Sequence, residues 1–210
     1  MPSRMVDISV ALDNETVLDP PFMRPKIEYV TGKQNAGVLT SVFPGLKEED
    51  LPDGEAWAIE NVTLATHNGT HMDAPYHFQS KDIHGNRMIT IDEVPLDWFF
   101  RPGVKLDFRK MPDGHVVSAA EVEAELARIG HELKPMDIVL VNTRASECIG
   151  TDQYMSAGIG MGREATLYYC HMEKLCNLEQ LPPDGFIVAC FPTKIKAASG
   201  GWTRAVALFD

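Results

Sequence analysis

Residues 67–77 concentrate side chains that are well suited to hold a metal ion. The segment runs His-Asn-Gly-Thr-His-Met-Asp-Ala-Pro-Tyr-His, so three of the chain's seven histidines and one aspartate fall within eleven positions. His67, His71, Asp73 and His77 share one parity, and side chains of equal parity point to one face of an extended strand. Imidazole and carboxylate donors suit zinc, iron or manganese better than calcium or magnesium. The segment therefore predicts a metal site, whereas any one of these histidines alone would more often be a hydrogen-bonded structural residue.

The backbone that carries these donors must bend if they are to meet. Ten fully extended steps of roughly 3.3 Å would separate His67 from His77 by about 33 Å. A helix explains the pattern less well, because only His67 and His71 would be neighbours at i,i+4. Gly69 and Pro75 weaken a helical run and are the residues suited to bending the chain.

The elements around this segment indicate an α/β protein. Short strands are predicted at 5–12, 58–66, 104–108, 137–142, 186–191 and 205–209, with the 58–66 strand delivering the histidines and the apolar 137–142 strand buried on both faces. Residues 13–56 show no clear periodicity and are expected to form an irregular surface segment, such as a lid or an oligomer contact.

One amphipathic helix is predicted after residue 117. Ser118 and Glu121 form a capping-box pattern, and Val122, Leu126, Ile129 and Leu133 follow at helical spacing before Pro135. We expect this helix to serve packing.

Composition limits the classes of partner. The chain has 210 residues and a formal net charge of -11, and it has no cluster of lysine and arginine, which argues against nucleic acid. No apolar run approaches the ~18 residues of a membrane span, and the first residues lack a signal-peptide pattern, so no membrane association and a cytoplasmic location are expected. Its four cysteines form no C-x-x-C pair and are expected to be free thiols.

The 67–77 segment resembles the H-x-G-T-H-x-D-x-P-x-H signature of the cyclase-like metal-dependent hydrolases, a family that includes bacterial kynurenine formamidase and isatin hydrolase. Further stretches similar to family blocks lie at 94–97, 137–142, 173–182 and 194–206, so the resemblance covers most of the chain. It implies a swivelling β/β/α fold with a mixed sheet and few helices, formed as a single domain over residues 1–210. It also implies hydrolysis of an amide, lactam or lactone bond in a small cyclic or N-acyl substrate.

Carried over by position, the resemblance implies a role for each donor. His67, His71 and Asp73 would bind a first metal ion, Zn or Mn, and Asp73 could bridge to a second ion. Glu173, which sequence alone would class as a surface glutamate, becomes a further metal ligand, and His77 becomes the acid/base. A bound divalent cation lowers the pKa of its water from about 15.7 towards ~7, so attack on a carbonyl becomes feasible at neutral pH.

Two expectations concern the surroundings of this site. Phe43 lies in a segment that resembles the one where formamidases place an aromatic against the substrate. Between Tyr168 and Glu173 the chain is shorter than the family pattern, which there supplies a histidine to the second metal position; we do not expect His171 to replace it. The expected partners are a small-molecule substrate and further copies of the chain, as a dimer or tetramer.

The short junction leaves a rival hypothesis open. A catalytically impaired family member could keep one structural metal ion or act as a small-molecule binding module. A structural protein without any metal is the third alternative.

Overall fold

The computed structural model describes residues 1–165 and 171–209, and within these ranges the chain forms twelve strands and three helices. The strands are β1 (Arg4–Asp7), β2 (Lys26–Val30), β3 (Ile59–Thr63), β4 (His71–Asp73), β5 (Phe100–Asp107), β6 (Val116–Val117), β7 (Ile138–Asn142), β8 (Gly160–Met161), β9 (His171–Glu173), β10 (Phe186–Ala189), β11 (Gly200–Trp202) and β12 (Val206–Phe209). The helices are α1 (Gly32–Val42), α2 (Pro75–Phe78) and α3 (Ala119–Ile129). This composition confirms the expected α/β class with few helices.

The chain divides into two compact units, one formed by Pro25–Ala65 and the other by Met1–Arg24 together with Thr66–Asp210. The expectation of a single domain stays a prediction. All predicted metal ligands and His77 belong to the larger unit, whereas Phe43 belongs to the smaller one.

The larger unit contains a five-stranded mixed sheet in the order β1-β12-β10-β5-β7. Neighbouring strands are antiparallel except for the parallel pair β5 and β7. Val104 and Leu106 of β5 and Val188 of β10 are fully buried, as expected for central strands. β7 lies at the edge of the sheet in the described part of the chain, and its Val139 is exposed. The prediction that this strand is buried on both faces is therefore wrong.

The predicted amphipathic helix is present as α3. Ser118 is its N-cap and accepts a hydrogen bond from the Glu121 amide, while the Glu121 carboxylate accepts one from the Ser118 amide. Val122, Leu126 and Ile129 pack against an apolar cluster from β5, the residue after β5, and β6. This cluster consists of Val104, Leu106, Phe108 and Val117. The helix ends earlier than expected, because Gly130 adopts a left-handed conformation at its C-terminus.

The smaller unit corrects the interpretation of residues 13–56 as irregular, since β2 and α1 lie within that segment. Thr31 caps α1 and accepts a hydrogen bond from the Gln34 amide, and Gln34 accepts one from the Thr31 amide. Ala36 and Leu39 are buried on this helix. The Thr-x-x-Gln pattern is a capping box, which predicts the start of a helix from the sequence alone.

The predicted 58–66 strand is shorter than expected and does not deliver the histidines. It forms as β3 and pairs with β2 as an antiparallel hairpin in the smaller unit, so it lies outside the sheet that carries the histidines. That sheet has three strands in the order β11-β4-β9, with both outer strands antiparallel to β4. The predicted 5–12 strand is also shorter, as β1, with an isolated bridge from Ser9 to Leu175 beyond it.

Among the described residues, no helix is long and apolar enough to cross a membrane. The expectations for location and oligomeric state stay predictions.

His131 joins three segments of the larger unit just after α3. Its Nδ1 lies 2.9 Å from Asp184 Oδ2, and its Nε2 lies 3.2 Å from Asp137 Oδ2. The hydrogen bond to Asp184 is the main factor that raises the pKa of His131 above its ordinary value of 6.5; burial acts in the opposite direction. The protonated imidazole therefore stabilises the fold by linking Asp137, just before β7, to Asp184, just before β10.

This arrangement predicts a pH-dependent contribution to stability. Because the folded-state pKa of His131 is raised, its contribution is fully present below the unfolded value of about 6.5 and is lost as pH rises through the folded value. We expect His131→Gln to lower the free energy of unfolding by about 0.5–1 kcal/mol at pH 6. The difference in free energy of unfolding between wild type and variant should shrink towards zero by pH 9, as measured by urea titrations. A deficit independent of pH, or an equal one in the exposed-site control His84→Gln, would contradict this assignment.

Candidate metal centre

The strand β4 places two of the predicted ligands on one face by alternation. His71 and Asp73 point to the same side, while Met72 between them is buried in the apolar core of the five-stranded sheet. His71 and Asp73 are themselves almost completely buried, at 1% exposure each. Core packing of Met72 thus fixes which way both donors face.

The two bends expected at Gly69 and Pro75 are present. Gly69 has a φ of +56°, in the left-handed region that favours glycine, and a Cβ there would lie 2.5 Å from Leu12 Cδ2. Pro75 is the first residue of the short helix α2, which carries His77. The four residues of equal parity therefore lie on a turn, a strand and a helix rather than on one strand.

Three donors meet at a common point. His67 Nδ1 lies 2.7 Å from Asp73 Oδ1, and His71 Nε2 lies 3.3 Å from the same oxygen. One ligand atom from each of His67, His71 and Asp73 lies within 4.8 Å of the others. This is the predicted first ligand set, brought together by the fold.

The second nitrogen of each imidazole is engaged outside the donor group. His71 Nδ1 lies 2.8 Å from the Gly69 carbonyl oxygen, which can only accept, so Nδ1 carries the proton and the lone pair of Nε2 faces Asp73. His67 Nε2 lies 2.9 Å from Ser199 Oγ, a hydroxyl that can donate or accept. Such outer partners fix the orientation and tautomer of metal-binding histidines.

The protonation states also suit a cation. Burial lowers the pKa of His67 and outweighs the opposing effect of the Asp73 carboxylate, so the imidazole is neutral at pH 7. Burial alone would raise the pKa of Asp73, but its contacts with the neighbouring histidines outweigh this effect and lower that pKa. A neutral imidazole and an ionised carboxylate are the forms that bind metal ions.

Glu173 comes to this site from the far end of the chain, as the resemblance implied. It lies on β9 opposite His71, and its Oε2 is 3.8 Å from His71 Nε2. A second group of donors, formed by Asp73, His171 and Glu173, also brings one ligand atom from each residue within 4.8 Å. Asp73 belongs to both groups, which is the position expected of a bridging ligand. The expectation for the stretch before Glu173 concerns residues 166–170, which lie outside the described part of the chain.

His77 lies beside the donors but is exposed. Its ring centroid is 4.1 Å from that of His67, with the planes inclined by 37°. The ring of Phe78 meets that of His77 edge-to-face, with centroids 5.1 Å apart. An exposed imidazole next to a buried ligand set is accessible to a substrate and to solvent protons.

Two residues that support the donor site were not predicted from the sequence. Lys174, whose φ is +58°, donates from Nζ to the buried Asp19 carboxylate and to the His67 carbonyl oxygen, so it ties the β9 end to the histidine turn. Gly200 lies opposite Asp73 on β11, and a Cβ there would lie 2.9 Å from His67 Cε1 and 3.3 Å from Asp73 Oδ1. Lys174 gives no sequence signal as an isolated lysine, whereas a Gly-Gly pair after a serine hints at a close backbone approach.

The predicted substrate-binding residue Phe43 follows α1 in the smaller unit and is 52% exposed. Its role stays a prediction.

The donor chemistry fits a divalent metal cation. Two imidazoles and a carboxylate converge with the correct tautomer at His71, and the glycine at 200 leaves room beside them. A cation that took His67 Nδ1 and Asp73 Oδ1 as ligands would displace the proton between them, as metal binding generally does.

Comparison with known proteins supports the family resemblance. A family model described as "Putative cyclase" matches residues 6–178, which include the 67–77 segment and Glu173. No curated protein matches the chain. Isatin hydrolase A from Ralstonia solanacearum is similar in structure, with 21% identity, a TM-score of 0.75 and coverage of 99% of this chain and 92% of that one.

Two further solved structures are similar over nearly their whole length. Isatin hydrolase A from Labrenzia aggregata, bound to benzyl benzoate, has 21% identity, a TM-score of 0.73 and coverage of 98% of this chain and 93% of that one. A potential metal-dependent hydrolase with cyclase activity has 15% identity, a TM-score of 0.62 and coverage of 99% and 98%. These likenesses confirm the expected cyclase-like fold. Since the family model spans most of its length, the chain belongs to the cyclase family that this model describes.

Proposed function

We propose that this protein is a metal-dependent hydrolase that cleaves an amide, lactam or lactone bond in a small cyclic or N-acyl substrate. The observation that carries the proposal is the convergence of His67, His71 and Asp73, with the proton of His71 held on Nδ1 by a carbonyl. The hydrolase character of the similar solved structures supports it.

The ligand set would hold Zn²⁺ or Mn²⁺. His67, His71 and Asp73 are the donors of the more buried position, and Glu173 approaches His71 from β9. A divalent cation bound there would acidify a water molecule and polarise the scissile carbonyl. The burial of His71 and Asp73 excludes bulk water from these two donors.

His77 would carry the proton. Hydrolysis adds the oxygen of water to the carbonyl carbon, breaks the bond to nitrogen or oxygen, and delivers a proton to the departing atom. An imidazole titrates in the range where it can take that proton from water and return it to the leaving group. The exposed position of His77 beside His67 supports this role.

Removal of the ligands tests the proposal. We expect His67→Ala/His71→Ala to lose both bound metal and turnover of isatin, N-formyl aromatic amines or lactones, because two of the three buried donors are gone. Elemental analysis and a hydrolysis assay on purified protein are the measurements. His84→Ala, which removes an exposed histidine outside the donor groups, should change neither. Turnover that survives in a metal-free double variant would contradict the proposal. A wild type that binds metal without turning over any of the three substrate classes would favour the binding-module alternative.

Removal of the proton carrier should separate binding from chemistry. We expect His77→Asn to reduce kcat by about 10²–10⁴-fold while metal content stays at the wild-type level, because a general acid/base contributes that much without holding the cation. Steady-state kinetics with elemental analysis measures both quantities. An unchanged kcat, or a loss of metal equal to that of the double variant, would rule out this role for His77.

A further inference from the structure

Lys174 contacts both ends of the turn that carries the first histidine donor, which consists of residues 67–70. Its ammonium Nζ donates a hydrogen bond to the His67 carbonyl oxygen at 2.7 Å. Its own carbonyl oxygen accepts a hydrogen bond from the Thr70 hydroxyl, also at 2.7 Å. Thr70 Oγ1 in turn accepts from the Val10 amide at 2.8 Å. One residue at the end of β9 therefore holds the first and the last residue of the turn.

The position of this turn determines where both imidazole donors lie. The Gly69 carbonyl oxygen, in the middle of the turn, lies 2.8 Å from His71 Nδ1 and fixes the orientation of that ring. The backbone of His67 is itself the start of the turn. A displacement of residues 67–70 would therefore move both nitrogen ligands away from Asp73.

The backbone at Lys174 has a conformation that lysine seldom adopts. Its φ of +58° lies in the left-handed region, where glycine is most common and asparagine is well tolerated. Such conformations persist only where the surrounding structure fixes them, and they cluster at functional sites. The contacts that fix this one are those with the 67–70 turn and with Asp19.

Asp19 neutralises the ammonium group beside the donors. Its Oδ1 lies 2.5 Å from Lys174 Nζ, and the two side chains are only 3% and 14% exposed. An uncompensated ammonium at this position would repel a divalent cation. The ion pair therefore supplies the hydrogen bond to the His67 carbonyl oxygen without adding net charge next to the metal centre.

We propose that Lys174, neutralised by Asp19, is a positioning residue of the metal centre, which holds the 67–70 turn in the ligating geometry before a cation binds. The inference rests on the proposed function. It assigns the ammonium group a role in the affinity and geometry of metal binding rather than in the stability of the fold.

A double substitution isolates this role from folding. Lys174→Asn removes the ammonium group but suits a positive φ, and it keeps the carbonyl oxygen that Thr70 binds. Asp19→Asn removes the carboxylate that would otherwise be left buried without its partner. The metal-free double variant should therefore have the circular dichroism spectrum of the wild type and a similar melting temperature.

Titration of the metal-depleted full chain with Co²⁺, followed by visible absorption, is the measurement. We expect Asp19→Asn/Lys174→Asn to bind Co²⁺ about 10–100-fold more weakly than the wild type, the effect typical of losing a group that orients a metal ligand. The absorption bands of the bound ion should also shift, because they report its coordination geometry. The matched control Lys110→Asn, the same exchange at an exposed lysine, should change neither quantity.

Wild-type affinity and wild-type absorption bands in the double variant would overturn the inference, while the proposed hydrolase would stand. A metal-free double variant that is unfolded would overturn it too, because the ion pair would then be holding the fold. Turnover by metal-free wild type would instead contradict the proposed function and, with it, this inference. The two failures are therefore distinguishable.

Discussion

The antiparallel register of β4 between β9 and β11 is the constraint on which the metal centre depends. It sets Asp73 opposite both His171 and Gly200, and His71 opposite Glu173. A shift of one residue would exchange the two faces of β4, placing Met72 among the donors and an aspartate in the core. The apolar packing of Met72 and Met172 opposes that shift, so the same hydrophobic contacts that stabilise the fold also orient the ligands.

Asp73 is the electrostatic centre of this arrangement. A buried carboxylate is costly unless it is hydrogen-bonded or paired, and here His67 Nδ1 lies 2.7 Å from its Oδ1. The Ser199 hydroxyl can accept a hydrogen bond from His67 Nε2 or donate one to it, so either tautomer of the imidazole keeps this partner. Lys174 secures the backbone of the same histidine from the β9 end. The centre is therefore supported on several sides by groups that do not themselves bind a cation.

The sequence revealed the donors better than it revealed their surroundings. The spacing of His67, His71 and Asp73 and the bends at Gly69 and Pro75 follow from local stereochemistry, which a single segment encodes. The cross-strand placement of His171 does not, because strand pairing depends on contacts about 100 residues apart. The prediction that residues 13–56 are irregular is wrong for a different reason. The Thr31 capping box is present in the sequence, but the glycine, proline and charged residues around it weaken the helix signal.

Anomalous X-ray scattering from crystals of the protein loaded with Zn²⁺ tests the central claim most directly. The account predicts a peak within about 2.0–2.3 Å of His67 Nδ1, His71 Nε2 and an Asp73 carboxylate oxygen. Occupied zinc positions that contact none of these three atoms, or no ordered zinc at β4 under conditions that support turnover, would contradict it.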